Sequence, residues 1–206
     1  MSFLLFGAKG FAKEILHCLN KDKLDKGVLF YDDISQSDDV FISANYKILR
    51  KSEELVQYQN RDCIIAVGGA SNRKVVSEKA LKLGLKEVGL ISGEAEIGNI
   101  DNKISASAII LSGSKITISV SIGKSTLINK NVMISHDVKV GNYVDIAPNV
   151  TLLGGVIIGN SCDIGSSATI LPGVKVGDNC RIGAGSVVTR DIPDNSVAYG
   201  VPAKVK

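Results

Sequence analysis

The sequence is poor in aromatic side chains, in excess charge and in long apolar runs. Its 206 residues include no Trp, five Tyr and five Phe, and the formal net charge is only +3. A nucleic-acid-binding domain usually carries a strongly basic surface, and this composition gives no support for one. No apolar stretch reaches membrane-spanning length, and the N-terminus lacks a secretory pattern. We therefore expect a cytoplasmic protein with neither a nucleic acid nor a membrane as its partner.

Metal ligands and disulfide partners are also scarce, with four Cys and two His in the whole chain. The cysteines do not show the spacing of a metal site. Cys162 and Cys180 are eighteen residues apart, and a buried pair of reduced thiols is the expected state in a cytosolic protein. The sequence therefore predicts no bound metal.

What the sequence has in abundance is glycine, 21 residues, and a repeat of six. An aliphatic residue recurs at every sixth position from Ile104 to Val188, and a smaller residue follows four positions later, as in Ala108 and Val120. Neither a helix nor a simple alternating strand repeats at six, whereas a hexapeptide period is typical of a parallel β-helix. The fifteen hexads predict five triangular coils, with the aliphatic and the smaller residues pointing inward.

The first part of the chain shows a different pattern, in which buried strands end in glycine or acidic turns. Strand, glycine-rich turn and helix in this order begin a nucleotide-binding βαβ unit, although the first turn taken alone favours a plain tight turn. Two strands ending in glycine turns at one crevice, and a third ending in Asp32-Asp33, favour a nucleotide. The predicted strands are Ser2–Phe6, Val28–Tyr31, Cys63–Val67 and Val88–Ile91; the helices include Phe11–Leu19 and one from Arg73 to about Leu83.

These patterns divide the chain into three parts. Residues 1–92 form the predicted Rossmann-like α/β domain, 93–193 the all-β parallel β-helix, and 194–206 a C-terminal tail. An imperfect hexad at Ile97-Gly98 marks the junction.

The β-helix contains a single histidine, His136, followed directly by Asp137. The histidine comes two residues after the inward Ile134, so its side chain should point outward from a turn. Acyl transfer to an amine or a hydroxyl needs a base that works near neutral pH, and imidazole is one. Asp137 is placed to fix its tautomer. A surface histidine without a role is the alternative.

Together these pieces resemble a known family of two-domain acyltransferases. The matching segments are FGAKG, YDD, IAVGG with NRK, INKNVMISHD and RDIPDNSVAYGVPAK, which extend over almost the whole chain. The chain is similar to the NeuD/PglD-like sugar acetyltransferases, which include UDP-N-acetylbacillosamine N-acetyltransferase and the sialic acid O-acetyltransferases. The resemblance implies a left-handed β-helix, a homotrimer and acetyl-CoA as the co-substrate.

The resemblance also implies roles for individual residues. His136 falls on the family's catalytic base, with Asp137 assisting it. One departure is Asp145, where relatives often carry a second histidine. The implied nucleotide-sugar contacts are Lys9, Gly10, Phe11, Asp32, Asp33, Gly68 and, at the sugar, Asn129; the implied acetyl-CoA contacts are Asp145, Ser166 and Ala184.

Three functions stay open at this point. The first is acetyl transfer to the amine of a nucleotide-linked amino sugar, most simply a UDP-4-amino sugar, for bacterial surface glycan or glycoprotein synthesis. The second is O-acetylation of sialic acid or another sugar, and the third is a trimeric scaffold without catalysis. Outward leucines on the β-helix, among them Leu111, Leu127, Leu153 and Leu171, are expected to be covered by neighbouring copies in the trimer.

Overall fold

The computed structural model describes residues 3–19, 27–34 and 46–206. Ser2, the predicted start of the first strand, lies outside the described residues. Within the described residues, a parallel α/β domain is followed by a long three-sided parallel β-helix. The predicted fold class is confirmed.

The first domain is a five-stranded sheet with the order β3-β2-β1-β4-β5, and all of its strand pairs are parallel. Apolar runs such as Leu4 to Phe6 and Cys63 to Ile65 are buried because helices cover both faces of the sheet. The strands are β1 Phe3–Phe6, β2 Val28–Tyr31, β3 Lys47–Leu49, β4 Asp62–Ile65 and β5 Lys86–Glu87; the helices are α1 Gly10–Cys18, the 3₁₀ helix Ser52–Tyr58 and α2 Ala70–Lys82.

Two predicted elements in this domain are corrected. The last helix begins at Ala70, three residues before the predicted Arg73. The predicted strand Val88–Ile91 is divided, because Val88 still bonds to Cys63 in the first sheet whereas Leu90–Ile91 already pairs with the β-helix. Gly89, at the crossover, lies against the backbone of Ala108 so closely that a Cβ would not fit.

The β-helix is a prism with three sheets, which we call faces I, II and III. Hydrogen bonds join each short strand to its counterpart one coil away, as from Met133 to Val150. Face I contains Leu90–Ile91, Ile109–Ile110, Leu127–Ile128, Asp145–Ile146, Asp163–Ile164, Arg181–Ile182, Val197–Gly200 and Ala203–Val205; face II contains Glu96–Ile97, Lys115–Ile116, Met133–Ile134, Thr151–Leu152, Thr169–Ile170 and Val187–Val188; face III contains Lys103–Ile104, Ser121–Ile122, Lys139–Val140, Ile157–Ile158 and Lys175–Val176.

The interior of the prism is built as the hexads predict. Nearly every inward aliphatic residue from Ile110 to Val188 is buried, and so are the smaller residues between them. Each such aliphatic side chain contributes about 1.5–3 kcal/mol through its removal from water. Cys162 and Cys180 stack inside, as predicted, and the backbone N–H of Cys180 lies 3.4 Å from Cys162 Sγ. Two strands, Leu90–Ile91 and Glu96–Ile97, extend the repeat before Ile104, where the sequence pattern was read as a junction.

The first domain packs on face I. Leu111 and Leu127 are buried there in one apolar cluster with Leu5, Ile15 and other residues of the first sheet and of α1. The expectation that these two leucines need a neighbouring copy to cover them is therefore wrong, because the chain's own first domain covers them. Leu153 and Leu171 are half-buried. No helix among residues 3–19, 27–34 and 46–206 is long and apolar enough to span a membrane.

Candidate active site and nucleotide pocket

The first domain has an open pocket of about 540 Å³ at the carboxyl ends of β1, β2 and β4. This is the edge at which parallel α/β sheets bind their ligands. Five of the six residues predicted to contact the nucleotide there, Lys9, Phe11, Asp32, Asp33 and Gly68, line this pocket, and Gly10 lies between two of them. The structure thus brings together a set that was spread over sixty residues of sequence.

The N-terminus of α1 faces this pocket without a side-chain cap. Lys9 occupies the N-cap position, and its side chain makes no capping hydrogen bond. The first N–H groups of a helix have no partner within the helix and attract anions. Asp32 instead braces the turns around the pocket, since its carboxylate accepts from the N–H of Ala8 at 3.3 Å and from that of Ile34 at 3.1 Å. The arrangement suits a phosphate at α1.

Asp33 is the more exposed of the two acids and forms an ion pair with Lys79 of α2. The Lys79 ammonium also lies 5.1 Å from the centre of the Tyr31 ring. Burial raises the pKa of Asp33, but hydrogen bonds with Lys79 and Tyr31 outweigh burial, and the pKa of Asp33 falls below its usual range. Asp33 therefore stays ionised at neutral pH beside a fixed cation and an aromatic ring.

His136 and Asp137 lie on the turn that joins face II to face III. His136 Nδ1 is 2.8 Å from Asp137 Oδ2, and the two side chains are 64% and 66% exposed. Asp137 has a φ of 62°, a left-handed conformation that aspartate tolerates. With Nδ1–H donated to the carboxylate, Nε2 is the nitrogen that can accept a proton.

A glycine one coil further along the prism makes room for this imidazole. A Cβ on Gly154 would lie 2.6 Å from His136 Cε1 and 2.7 Å from Nε2. The ring thus rests against the backbone of Gly154, which restricts where Nε2 can point. Nothing in the hexad pattern distinguishes this glycine from the turn glycines, so sequence reasoning missed it.

The remaining predicted contacts lie elsewhere on the prism. Asn129, Ser166 and Ala184 follow strands of face I, on the turns that lead to face II. Ser166 and Ala184 are exposed and occupy equivalent positions on successive coils. Asp145 lies on the outer side of face I, where its Oδ2 accepts from the N–H of Gly69 at 2.6 Å. Its carboxylate thus already has a partner inside the chain, and its contact with acetyl-CoA stays a prediction.

Within one chain, the predicted site residues therefore form three groups. The nucleotide pocket is in the first domain on face I, the predicted acetyl-CoA and sugar contacts are on face I and its border with face II, and His136 is on the border between faces II and III. A three-sided prism places that last border opposite face I. Within a single chain Asp145 reaches the edge of the nucleotide pocket through Gly69, but His136 lies apart from both other groups.

Sequence reasoning also missed part of the nucleotide pocket. Tyr31, Asn72 and Lys79 line it beside the predicted residues. Asn72 and Lys79 are on α2, and only the parallel order of β1 and β4 brings that helix to the pocket. The helical spacing of seven between them was the available signal. Among the described residues, no group of His, Cys, Asp or Glu could hold a metal ion.

Comparisons with known families agree with this architecture. Residues 2–80 match the PglD N-terminal domain, residues 119–154 the bacterial transferase hexapeptide, and residues 155–190 the hexapeptide repeat of succinyl-transferase. No curated protein sequence matches the chain significantly.

Solved structures match the full length of the chain. PerB from Caulobacter crescentus, in complex with CoA and GDP-perosamine, is 26% identical, with a TM-score of 0.84 and coverage of 100% of this chain and 97% of PerB. A mutant of GDP-perosamine N-acetyltransferase from the same organism is 25% identical, with a TM-score of 0.86 and coverage of 100% of this chain and 97% of the mutant. The acetyltransferase domain of PglB from Neisseria gonorrhoeae, in complex with acetyl coenzyme A, is 24% identical, with a TM-score of 0.86. The match covers 100% of this chain and 98% of that domain.

The fold and the paired domains define a hexapeptide-repeat transferase. More narrowly, the chain combines a PglD-type N-terminal domain with a hexapeptide-repeat β-helix, and it is similar over its full length to PerB.

Proposed function

We propose that this chain transfers the acetyl group of acetyl-CoA to the amine of a nucleotide-linked amino sugar. The observation that carries the proposal is the pairing, in one chain, of an α/β pocket suited to a nucleotide with a prism whose one histidine among the described residues is exposed beside a carboxylate. Similarity to PerB, which was crystallised with CoA and GDP-perosamine, supports it. The similarity favours N-acetylation over sialic acid O-acetylation and over a scaffold without catalysis.

In this proposal, different side chains of the pocket contact different parts of the nucleotide. The uncapped N-terminus of α1 and the Lys9 side chain offer N–H groups and positive charge to the diphosphate. Asp33, with the Tyr31 ring and Lys79 beside it, is placed to contact the base or the ribose. A carboxylate that stays ionised is a hydrogen-bond acceptor only, so it selects N–H or O–H groups on the ligand.

The chemistry requires one proton acceptor. The neutral sugar amine attacks the thioester carbonyl, His136 Nε2 removes a proton from the amine as the C–N bond forms, and the C–S bond then breaks. The CoA thiolate leaves and takes up a proton, which the imidazolium can return. Asp137 keeps Nδ1–H in place and stabilises the imidazolium through the 2.8 Å contact.

Assembly into a trimer completes the site in this proposal. His136 is on the border between faces II and III, and the predicted contacts of acetyl-CoA and the sugar are on face I and its border with face II. Side-by-side packing of two prisms can place these two borders against each other, and three such contacts close a ring. Light scattering tests the assembly directly, and a fully active monomer would contradict it.

The reaction is tested by incubating the purified chain with acetyl-CoA and a panel of UDP-, dTDP- and GDP-linked amino sugars, together with the free sugars. Thiol release should depend on one nucleotide-linked amine, and the product should resist hydroxylamine, because hydroxylamine cleaves O-acetyl esters but leaves amides intact. Turnover with free sialic acid and a hydroxylamine-sensitive product would favour O-acetylation instead. We place the reaction in the cytoplasm, where acetyl-CoA and nucleotide sugars are made, as a step of surface glycan synthesis.

A further inference from the structure

The outward-facing residues of face I change from apolar to acidic along the prism. Ile109 and Leu127 are buried under the first domain, and the next two residues in the same column are Asp145 and Asp163. Like charges directly opposite each other on neighbouring strands repel. Two acids in this position therefore need positive partners.

The N-terminus of α2 supplies these partners. The N–H of Gly69 donates to Asp145 Oδ2 at 2.6 Å, and the N–H of Ala70 donates to Asp163 Oδ1 at 2.7 Å. These amides carry the positive end of the helix dipole, which favours carboxylates. Two consecutive amides of the helix thus meet two acids from consecutive coils. We call Gly69, Ala70, Asp145 and Asp163 the α2 joint.

A buried arginine, Arg73, anchors the same helix to the prism at a second point. The Arg73 guanidinium donates to the carbonyl of Ser125 on the prism at 2.8 Å, and to the carbonyls of Ile65 and Val67 in the first domain at 3.1 and 2.9 Å. One side chain therefore joins β4, the loop after it and a turn of the prism. Helix α2 cannot rotate on face I without breaking these bonds.

The α2 joint is continuous with the nucleotide pocket. Gly68 lines the pocket and precedes Gly69 directly, and a Cβ on Gly68 would lie 3.5 Å from Asp145 Oδ2. Asn72, another lining residue, donates to the carbonyl of Gly68 at 3.1 Å. The wall of the pocket is thereby attached to the prism through two carboxylates.

We propose that Asp145 and Asp163 are positioning residues, which hold the pocket wall formed by Gly68 and Asn72 at a fixed place on the prism and so present the acceptor to the acetyl donor. This role rests on the proposed function, because it requires that the pocket bind the nucleotide of the acceptor. It also gives Asp145 a role different from contact with acetyl-CoA. The two roles make opposite predictions about which substrate is affected.

The first measurement does not depend on activity. Hydrogen exchange of the Gly69 and Ala70 amides is compared in the wild-type chain, in Asp145→Ala and in Asp163→Ala. Loss of the acceptor should speed exchange of the matching amide about tenfold or more, because a hydrogen bond to a charged group is lost. Glu96→Gln is the matched control, since it neutralises an exposed prism carboxylate that pairs with Lys115 on face II. Unchanged exchange at both amides would show that the hydrogen bonds of the α2 joint do not protect these amides, which contradicts the proposal.

The second measurement determines which substrate's KM changes in each variant. In Asp163→Ala and Asp145→Ala, the KM of the acceptor should rise about tenfold and kcat should fall, while the KM of acetyl-CoA stays near the wild-type value. Asp163→Asn retains an acceptor oxygen and should recover most of the loss. A rise in the KM of acetyl-CoA alone in Asp145→Ala would overturn the positioning role and support the CoA contact.

Calorimetry with UDP, dTDP and GDP separates failure of this inference from failure of the proposed function. The wild-type chain should bind one of the three, and both alanine variants should bind it more weakly. A wild-type chain that binds none contradicts the proposed function, and the positioning role falls with it. Wild-type binding that is unchanged in both variants contradicts the positioning role alone.

Discussion

The imidazole of His136 lies against the backbone of Gly154, which occupies the equivalent position one coil further along the prism. Any side chain at Gly154 would begin 2.6 Å from Cε1 of the ring. The carboxylate of Asp137 lies 2.8 Å from Nδ1 of the same ring. The orientation of the proposed base is therefore set by a missing side chain as much as by a hydrogen bond.

Gly154→Ala is predicted to lower kcat about ten- to a hundredfold, because the added methyl displaces the ring and misplaces the base. The β-helix should stay folded, since no left-handed φ is required at Gly154. Steady-state kinetics measures the loss, and circular dichroism checks the fold. Gly93→Ala is the control, because a Cβ there meets nothing within 4 Å. Normal turnover in Gly154→Ala would show that the ring position observed here is not the catalytic one.

His136→Ala is predicted to reduce kcat by roughly a hundred- to ten-thousandfold, the range expected for loss of a general base. The assembly and the affinity for both substrates should persist, because the side chain is exposed. Asp137→Asn should reduce kcat less, since it removes only the support of the ring. The measurement is kcat with saturating substrates. Near-normal turnover in His136→Ala would rule out this mechanism.

Asp33→Ala is predicted to weaken binding of the nucleotide-linked acceptor about tenfold while binding of acetyl-CoA stays near normal. The reason is that Asp33 lines the pocket of the first domain, and the predicted CoA contacts are on the prism. Isothermal titration calorimetry with each ligand tests whether only acceptor binding is weakened. Glu53→Ala, an exposed acid outside the residues that line this pocket, serves as the control. An equal loss for both ligands would contradict separate sites.

Mixing two defective chains tests whether the site is shared between copies. Assemblies that contain His136→Ala and Asp33→Ala chains in equal amounts should regain activity at low acceptor concentration. Roughly a quarter of the shared sites would combine an intact histidine with an intact pocket from the neighbour. Each variant assembled alone provides the baseline. No recovery after verified subunit exchange would mean that each chain uses its own histidine.

Asp145 should make stability depend on pH. Burial raises the pKa of Asp145 above its ordinary value of 3.8, the nearby Asp163 raises it too, and the Gly69 hydrogen bond and Arg73 oppose them without cancelling them. The native state therefore binds the proton more tightly than the unfolded chain. The contribution of Asp145 to stability is fully present below 3.8 and is lost as pH rises through the raised value.

The test compares denaturant unfolding of the wild-type chain and of Asp145→Asn over a range of pH. The difference, wild type minus variant, should fall as pH rises from about 4 and become constant once the carboxyl is fully ionised. Glu96→Gln again provides a control with an exposed acid. A difference that grows with pH would mean that the hydrogen bond to Gly69 and the charge of Arg73 outweigh burial.

Much of the prism was predictable because a hexad period alone decides which side chains point inward. The period predicts the buried column through Ile134, Leu152 and Ile170, and it places His136 outside. It says nothing about what covers the outside. For that reason Leu111 and Leu127 were assigned to contacts between copies, whereas the chain's own first domain covers them.

The nucleotide pocket was predictable only in part. Turn glycines and Asp32-Asp33 follow strands directly, so local sequence indicates them. Lys79 reaches Asp33 from a helix 46 residues away, and Asp145 reaches Gly69 across 76 residues. The first pair depends on how α2 packs on the sheet of its own domain, and the second depends on how the two domains pack. No local pattern in the chain records either packing.

The register of the prism limits how this chain can change in length. Each strand residue is in register with the one eighteen positions away, as Met133 is with Thr151. A single added residue within a strand would turn every later inward aliphatic residue toward solvent until a loop absorbed it. Insertions are therefore tolerated at the turns, or as whole coils of eighteen. A coil added between His136 and the C-terminal hairpin of Val197–Gly200 and Ala203–Val205 would move the hairpin away from His136 by one strand spacing, about 4.8 Å.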